Sequence, residues 1–126
     1  TIPGVVASDD FRAKLLGIDP ELKDYTYGAE SYDAVILAAL AAQAGGAADS
    51  ATIKDNMQKV SADGEKCTTY ADCVALLEAG TDIDYDGVSG PISFDENGDP
   101  SEATIGIYQY GNGNTYSNIG EEAGQL

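Results

Sequence analysis

Hydrophobic residues recur at helical spacing over the first two thirds of the chain, and glycine or proline interrupts the pattern between segments. The pattern predicts four helices. The first begins after Ser8 and ends at residues 17–20, where glycine and proline break the pattern. The third begins at Asp49 or Ser50, and the fourth spans residues 69–79.

The second predicted helix carries the longest apolar segment of the chain. It begins at Glu30 or Ser31 and ends at Gly45 and Gly46. Residues 35–42 are apolar nearly all round the helix, and a helix of this kind is buried on most sides. We therefore expect it to lie in the centre of a core.

The pattern changes after Gly80. Residues 91–94 predict a short strand, and residues 95–99 predict a turn, because an Asn-Gly pair tolerates positive φ. Residues 104–110 alternate between apolar and polar side chains, which is typical of a strand. Together they predict a β-hairpin.

The last residues, 111–126, are rich in glycine and asparagine and predict a loop with an exposed end. The fold class is therefore α/β, with about four helices followed by a β-hairpin. One hairpin is a poor cover for the apolar second helix. Either the helices bundle around it or part of the sheet lies outside these residues.

Composition narrows the possible functions. The chain has 126 residues, of which 43% are hydrophobic and 8% aromatic, as in a globular domain. The 22 acidic and 6 basic residues give a net charge of -16, which argues against nucleic acid as a partner. The absence of histidine excludes Ser-His-Asp and Cys-His nucleophiles and the usual zinc sites.

Charge is uneven along the chain, because residues 67–126 contain no basic residue. Such a surface suits a protein that works outside the cytosol, although an organism with an acidic proteome would produce the same charge. The longest apolar run, residues 34–42, is too short to span a bilayer. Because the chain begins at Thr1 rather than Met, we expect an N-terminal region that has been removed.

Two cysteines, Cys67 and Cys73, stand six positions apart at the start of the fourth helix. In an extracellular chain they predict one disulfide that closes a short loop. The alternative is a pair of unpaired thiols, with Cys73 buried. Two cysteines without histidine offer too few ligands for zinc, so no metal or cofactor is predicted here.

An acidic segment, residues 82–87, matches the opening of an EF-hand calcium loop. The twelfth position is Ser93 instead of a bidentate glutamate, and Pro91 heads a predicted strand where a helix should follow. Residues 95–99 have the same weakness. We therefore interpret both as solvated acidic turns, with an acidic calcium-binding or structural surface module as the alternative function. No carboxylate pair stands out as catalytic, so no enzyme activity is predicted.

Aromatic residues surround a carboxylate at the start of the second helix. Tyr25, Tyr27 and Tyr32 flank Glu30. Aromatic faces beside a carboxylate can hold an ammonium group. The alternative is that Tyr32 packs in the core and the other two tyrosines cover it.

Two segments resemble a known family. Residues 27–35, which read YGAESYDAV, resemble the helix entry of type I periplasmic binding proteins of branched-chain amino acid and amide ABC transporters. Residues 86–99, DGVSGPISFDENGD, are similar to that family's hairpin, and residues 105–110 to its following strand. The order of segments is most similar to actinobacterial-type members.

The resemblance implies a larger parent with two α/β lobes that close on a ligand. This chain then corresponds to a C-terminal fragment with an incomplete sheet. Residues 1–89 would be the C-terminal helical part of the first lobe, and residues 90–126 the crossover and the β-hairpin returning to the second lobe. The strands that cover the second helix would lie before Thr1.

The resemblance also implies a function in binding. The parent captures a branched-chain amino acid or related small solute and presents it to an ABC permease, and it is extracellular or periplasmic, with a lipid anchor as one option. Ligand-binding positions carried over are Tyr27, Glu30 and, more weakly, Tyr25. An isolated fragment would bind weakly and could form a homodimer to cover its apolar surface.

Overall fold

A computed structural model describes residues 7–125, which form four helices and four strands in this region. In chain order they are α1 (Asp9–Ile18), α2 (Gly28–Gly45), α3 (Ser50–Met57), β1 (Glu65–Cys67), α4 (Tyr70–Glu78), β2 (Ile83–Tyr85), β3 (Glu102–Tyr110) and β4 (Tyr116–Gln125). The predicted α/β class, with four helices before a hairpin and incomplete sheets, is confirmed. Residues 1–6, at the start of the first predicted lobe segment, and Leu126, at the end of the second, lie outside the described residues.

Three helices begin where the sequence predicts, because a side chain there caps each helix. The Ser8 hydroxyl accepts a hydrogen bond from the Phe11 amide at 3.2 Å. Asp49 and Thr69 accept equivalent bonds from the first-turn amides of α3 and α4. Each cap satisfies donors that have no partner within the helix, which stabilises a start by about 1 kcal/mol.

Helix α2 is buried or half-buried at every position from residue 36 to residue 42, as predicted, and departs from the prediction at Val35. Its buried positions fall on one face, where Leu37, Leu40 and Ala41 pack into the core. On the opposite side Val35 is 68% exposed. Of the regular elements of the described chain, only α3 and α4 pack extensively on α2, which leaves the side of Val35 open. The described residues leave Ala34 and Val35 uncovered, as expected for part of a larger α/β fold.

The main core joins α2 to β1, α4 and β2. Its buried members are Leu37, Leu40, Ala41, Val60, Cys67, Cys73, Ile83 and Tyr85. Cys67 and Cys73 form the predicted disulfide, with their Cα atoms 5.3 Å apart. The bond therefore ties the end of β1 to the second turn of α4 inside the core.

Strands β1 and β2 form a parallel pair that the sequence analysis missed. The prediction of an acidic turn at residues 82–87 is wrong at their centre, which is a strand in register with Glu65–Cys67. The Tyr85 amide donates to the Val60 carbonyl at 3.0 Å, and the Asp86 amide to the Cys67 carbonyl at 3.0 Å. Strands of three residues are too short to show a hydrophobic period, which explains the error.

The hairpin exists, but its strands differ from those predicted. β3 pairs antiparallel with β4, so residues 116–125 are strand and the loop prediction is wrong for them. Residues 91–94 are not a strand and contribute only an isolated bridge between Phe94 and Pro100. The turn at residues 95–99 is confirmed, because the Asp95 amide donates to the Asp99 carbonyl at 2.8 Å. β4 was missed because glycine, asparagine and glutamate have low strand propensity.

Within the described residues, no single helix is long and apolar enough to cross a bilayer. α2 and α3 reach that length and composition only together, and they are bent by 102° at the break between them.

Candidate functional site

A cleft of about 790 Å³ lies between α2 and the segment that leads into the hairpin. One wall is the α2 face that carries Tyr27, Glu30 and Asp33. The other wall is formed by Ser89, residues 91–94 and the base of the β3–β4 hairpin. A concave site between two walls, apolar with a few polar groups, is typical of small-molecule binding.

Tyr27 lies at the N-terminus of α2 in a strained backbone conformation. It is the N-cap residue, with φ at 58° in the left-handed region, and its side chain provides no cap. A residue with a β-carbon costs about 1–3 kcal/mol in this conformation, and such residues cluster at binding sites. The residue is 53% exposed and lines the cleft.

Glu30 lies in the first turn of α2 and lines the same wall. Both of its carboxylate oxygens are buried and have no hydrogen-bond partner among the described residues. The positive end of the helix dipole favours a carboxylate at this position. Burying a charged oxygen without a donor is nevertheless costly.

Tyr25 lies outside the cleft lining. Its hydroxyl donates to the Leu22 carbonyl at 3.4 Å, and the guanidinium of Arg12 stands 5.2 Å from the centre of its ring. It packs on the small cluster of Ala7, Phe11 and Ala29. The structure thus brings Tyr27 and Glu30 together and places Tyr25 against α1, while the binding roles of all three stay predictions.

Asp33 is a buried acid of the cleft wall that the sequence pattern does not single out. It is 2% exposed, and its carboxylate accepts hydrogen bonds from four donors. These are Tyr85 Oη at 2.8 Å, Val88 N at 3.1 Å, Ser89 N at 2.7 Å and Ser89 Oγ at 2.5 Å. Asp33 is the one acid on the otherwise apolar buried face of α2. This position could have indicated its role, because a buried carboxylate requires hydrogen-bond donors from elsewhere in the fold.

Ionisation of Tyr85 is suppressed beside this carboxylate. Burial and, second, the hydrogen bond to Asp33 raise the pKa of the Tyr85 phenol well above its ordinary value. The phenol therefore stays protonated as a donor over the physiological range.

Charge in the cleft is negative. Glu30, Asp33 and Glu102 line it, and none of its lining residues in the described chain is lysine or arginine. A cationic group on a ligand would be attracted there and an isolated anion repelled.

The acids of the calcium-like segment lie elsewhere. Lys66 Nζ stands 2.9 Å from both Asp84 Oδ2 and Asp86 Oδ1. Among residues 7–125, no group of three or more acidic or cysteine side chains is placed to hold a metal ion.

The sequence model described as the receptor family ligand binding region matches residues 11–113. The chain belongs to this family. The receptor family region runs from α1 to the turn between β3 and β4, so Tyr27, Glu30 and Asp33 all fall inside it. No curated protein and no solved structure matches the chain significantly.

Membership of the receptor family supports the type I periplasmic-binding-protein superfamily that the sequence resembles. It also gives the chain a ligand-binding role, with a small molecule as the ligand. The receptor family is a family of ligand-binding regions rather than of enzymes.

Proposed function

We propose that this chain is part of a solute receptor that captures an amino acid or amide for uptake by an ABC permease. The observation that carries the proposal is Glu30, whose two carboxylate oxygens are buried at the cleft wall without a donor. When the Glu30 side chain turns into the cleft, the ligand supplies that donor through its ammonium group. Binding, without chemical conversion, is the whole of the function.

An ammonium group fits this place in both charge and shape. Three N–H donors can bond both oxygens of Glu30, and a hydrogen bond to a charged group is worth about 1.5–3 kcal/mol. The nearby face of Tyr27 adds a cation–π contact of about 0.5–2 kcal/mol. Residues 91–94 offer an apolar surface, including Ile92 and Phe94, for a branched aliphatic side chain.

The chain provides one part of a two-lobed clamp in this proposal. Residues 1–89 belong to the first lobe and residues 90–126 cross over and return to the second. Closure of the lobes on the solute shifts the population of the receptor toward the form that the permease recognises. Further parts of the full-length protein complete the grip on the ligand.

We place the receptor in an extracellular or periplasmic compartment, with a lipid anchor as one means of holding the full-length protein at the membrane. The Cys67–Cys73 disulfide supports this placement, because such bonds persist in oxidising compartments. The charge of -16 keeps the receptor soluble at high local concentration.

Calorimetry of the full-length gene product tests the proposal. We expect L-leucine and 3-methylbutylamine to bind and 4-methylpentanoate, which lacks the ammonium group, to bind at least about tenfold more weakly. Glu30→Gln keeps the shape of the side chain and removes its charge, and it should weaken leucine binding roughly 10- to 100-fold.

The matched control is Glu78→Gln, a charge change of the same kind at the exposed end of α4. It should leave leucine affinity unchanged. Equal binding of 4-methylpentanoate and leucine, or equal effects of the two variants, would refute the assignment of Glu30. The 126-residue chain tested alone should bind leucine only weakly.

A further inference from the structure

Asp33 connects the cleft to a tight turn after β2. Its carboxylate accepts from the backbone amides of Val88 and Ser89, the two central residues of that turn. The turn itself is closed by two backbone hydrogen bonds between Gly87 and Gly90, of 3.1 and 3.3 Å. The carboxylate of Asp33 on α2 therefore binds the turn through two adjacent backbone amides, and the closed turn fixes the distance between them.

If the turn moved away from α2, the carboxylate of Asp33 would stay buried and lose its hydrogen-bond donors from the turn. Asp33 is 2% exposed, and every described partner of its carboxylate comes from β2 or the turn. Gly87 packs directly on it, since a β-carbon there would lie 2.2 Å from the carboxylate oxygen. Gly90 has φ at 115°, which only glycine adopts readily, and directs the chain toward Pro91.

The position of the second cleft wall follows from this contact. Ser89 lines the cleft, and Pro91 and Ile92 of the same wall follow it after one residue. Asp33 and Glu30 are three positions apart on α2, so they share a face of the helix. The carboxylate that binds the turn thus lies beside the group proposed to bind the solute.

We propose that Asp33 is a positioning residue of the solute cleft. It holds the turn of residues 87–90 against α2 and so sets the separation between the Glu30 wall and the wall of residues 91–94. This inference rests on the proposed function only in taking the solute to bind between those walls. A merely stabilising residue would change the folded fraction and leave the geometry and affinity of the folded protein intact.

The first measurement needs no solute. Amide hydrogen exchange and nuclear Overhauser contacts of the Ile92 methyl group are recorded for the wild type and for Asp33→Asn. We expect the Val88 and Ser89 amides to exchange at least about tenfold faster in the variant, because one neutral oxygen cannot hold all four donors. Contacts between Ile92 and the core should weaken, while amide protection in α3 stays the same.

The second measurement is titration of the folded, full-length variants with L-leucine. Asp33→Asn should weaken binding roughly tenfold or more. Ser89→Ala, which removes one donor and leaves the turn amides in place, should weaken it about threefold and serves if Asp33→Asn fails to fold. Asp49→Asn is the control, because Asp49 also accepts two backbone amides but caps α3 away from the cleft.

Each result decides the proposal. Unchanged exchange at Val88 and Ser89 and unchanged Ile92 contacts in Asp33→Asn would overturn it, as would leucine affinities for Asp33→Asn or Ser89→Ala no lower than for Asp49→Asn. Failure of the wild type to bind leucine would refute the proposed function instead. The exchange and Ile92 measurements would then still decide whether Asp33 sets the wall.

Discussion

The phenol of Tyr85 donates a 2.8 Å hydrogen bond to the carboxylate of Asp33, and both side chains are buried. Burial, followed by the bond to Asp33, raises the pKa of Tyr85 in the folded protein. In the unfolded chain the phenol titrates near its ordinary value of about 10. The folded state therefore keeps a proton that the unfolded state loses in alkali.

This difference predicts alkaline destabilisation. Tyr85 contributes its full stabilisation below about pH 10, and the contribution falls by about 1.4 kcal/mol per pH unit above that value. Urea unfolding at a series of pH values from 9 to about 11.5 measures the slope. Tyr85→Phe should flatten it, whereas Tyr110→Phe, at a position that is 67% exposed, should not. Equal slopes for both variants would contradict the assignment to Tyr85.

Reduction of the disulfide should lower stability by about 2 kcal/mol. The Cys67–Cys73 bond closes a short loop, and short loops restrict the unfolded chain less than long ones. Chemical denaturation with and without a phosphine reductant measures the loss. A double variant, Cys67→Ala with Cys73→Ala, should show a comparable loss and no further response to the reductant. If the reductant did not change the stability of the wild type, the result would contradict the disulfide.

Gly87→Ala should destabilise the protein by roughly 1–3 kcal/mol, because the added carbon would overlap the Asp33 carboxylate. Gly17→Ala is the natural comparison. A β-carbon at position 17 meets no atom within 4 Å, and Gly17 lies in α1, where alanine is the better helix former. That change should stabilise the protein by up to about 1 kcal/mol. Thermal unfolding of both variants tests the contrast, which fails if the two changes have the same sign.

Self-association should appear at raised salt concentration. Among the described residues, no third strand joins either edge of the β3–β4 hairpin, and Ile119 on β4 is 60% exposed. Open strand edges pair readily, but the charge of -16 keeps copies apart at low ionic strength. Light scattering in about 0.5 M NaCl should therefore detect a concentration-dependent dimer.

The variant Ile119→Lys should reduce that association. Ile18→Lys, at an 86% exposed position at the end of α1, should leave it unchanged. A monomer at every protein and salt concentration would rule out the homodimer that the sequence suggests.

Helices were predictable because their signals are local. Ser8, Asp49 and Thr69 each cap a helix that the hydrophobic spacing then continues. The parallel pair of β1 and β2 was not predictable, since it depends on a crossover through α4 that brings Glu65 beside Ile83. β4 was missed for a related reason: its pairing with β3, rather than its own composition, makes it a strand.

The candidate site was only partly visible in the sequence. Aromatic residues around an acid indicated Tyr27 and Glu30, and the structure places both on one cleft wall. Tyr25 has the same local pattern but packs on α1, which no spacing rule reveals. Asp33 was inconspicuous because its donors, from Tyr85 to Ser89, lie more than 50 positions away in the chain.

Lys66 has a consequence for proteolysis. It is the last basic residue of the sequence, it lies within β1, and its ammonium group is bound by Asp84 and Asp86. A protease that cleaves after lysine or arginine meets Lys66 with its ammonium group already bound, and residues 67–126 contain no further site. Tryptic digestion of the native protein should thus leave α4, β2 and the hairpin as one long, disulfide-containing peptide.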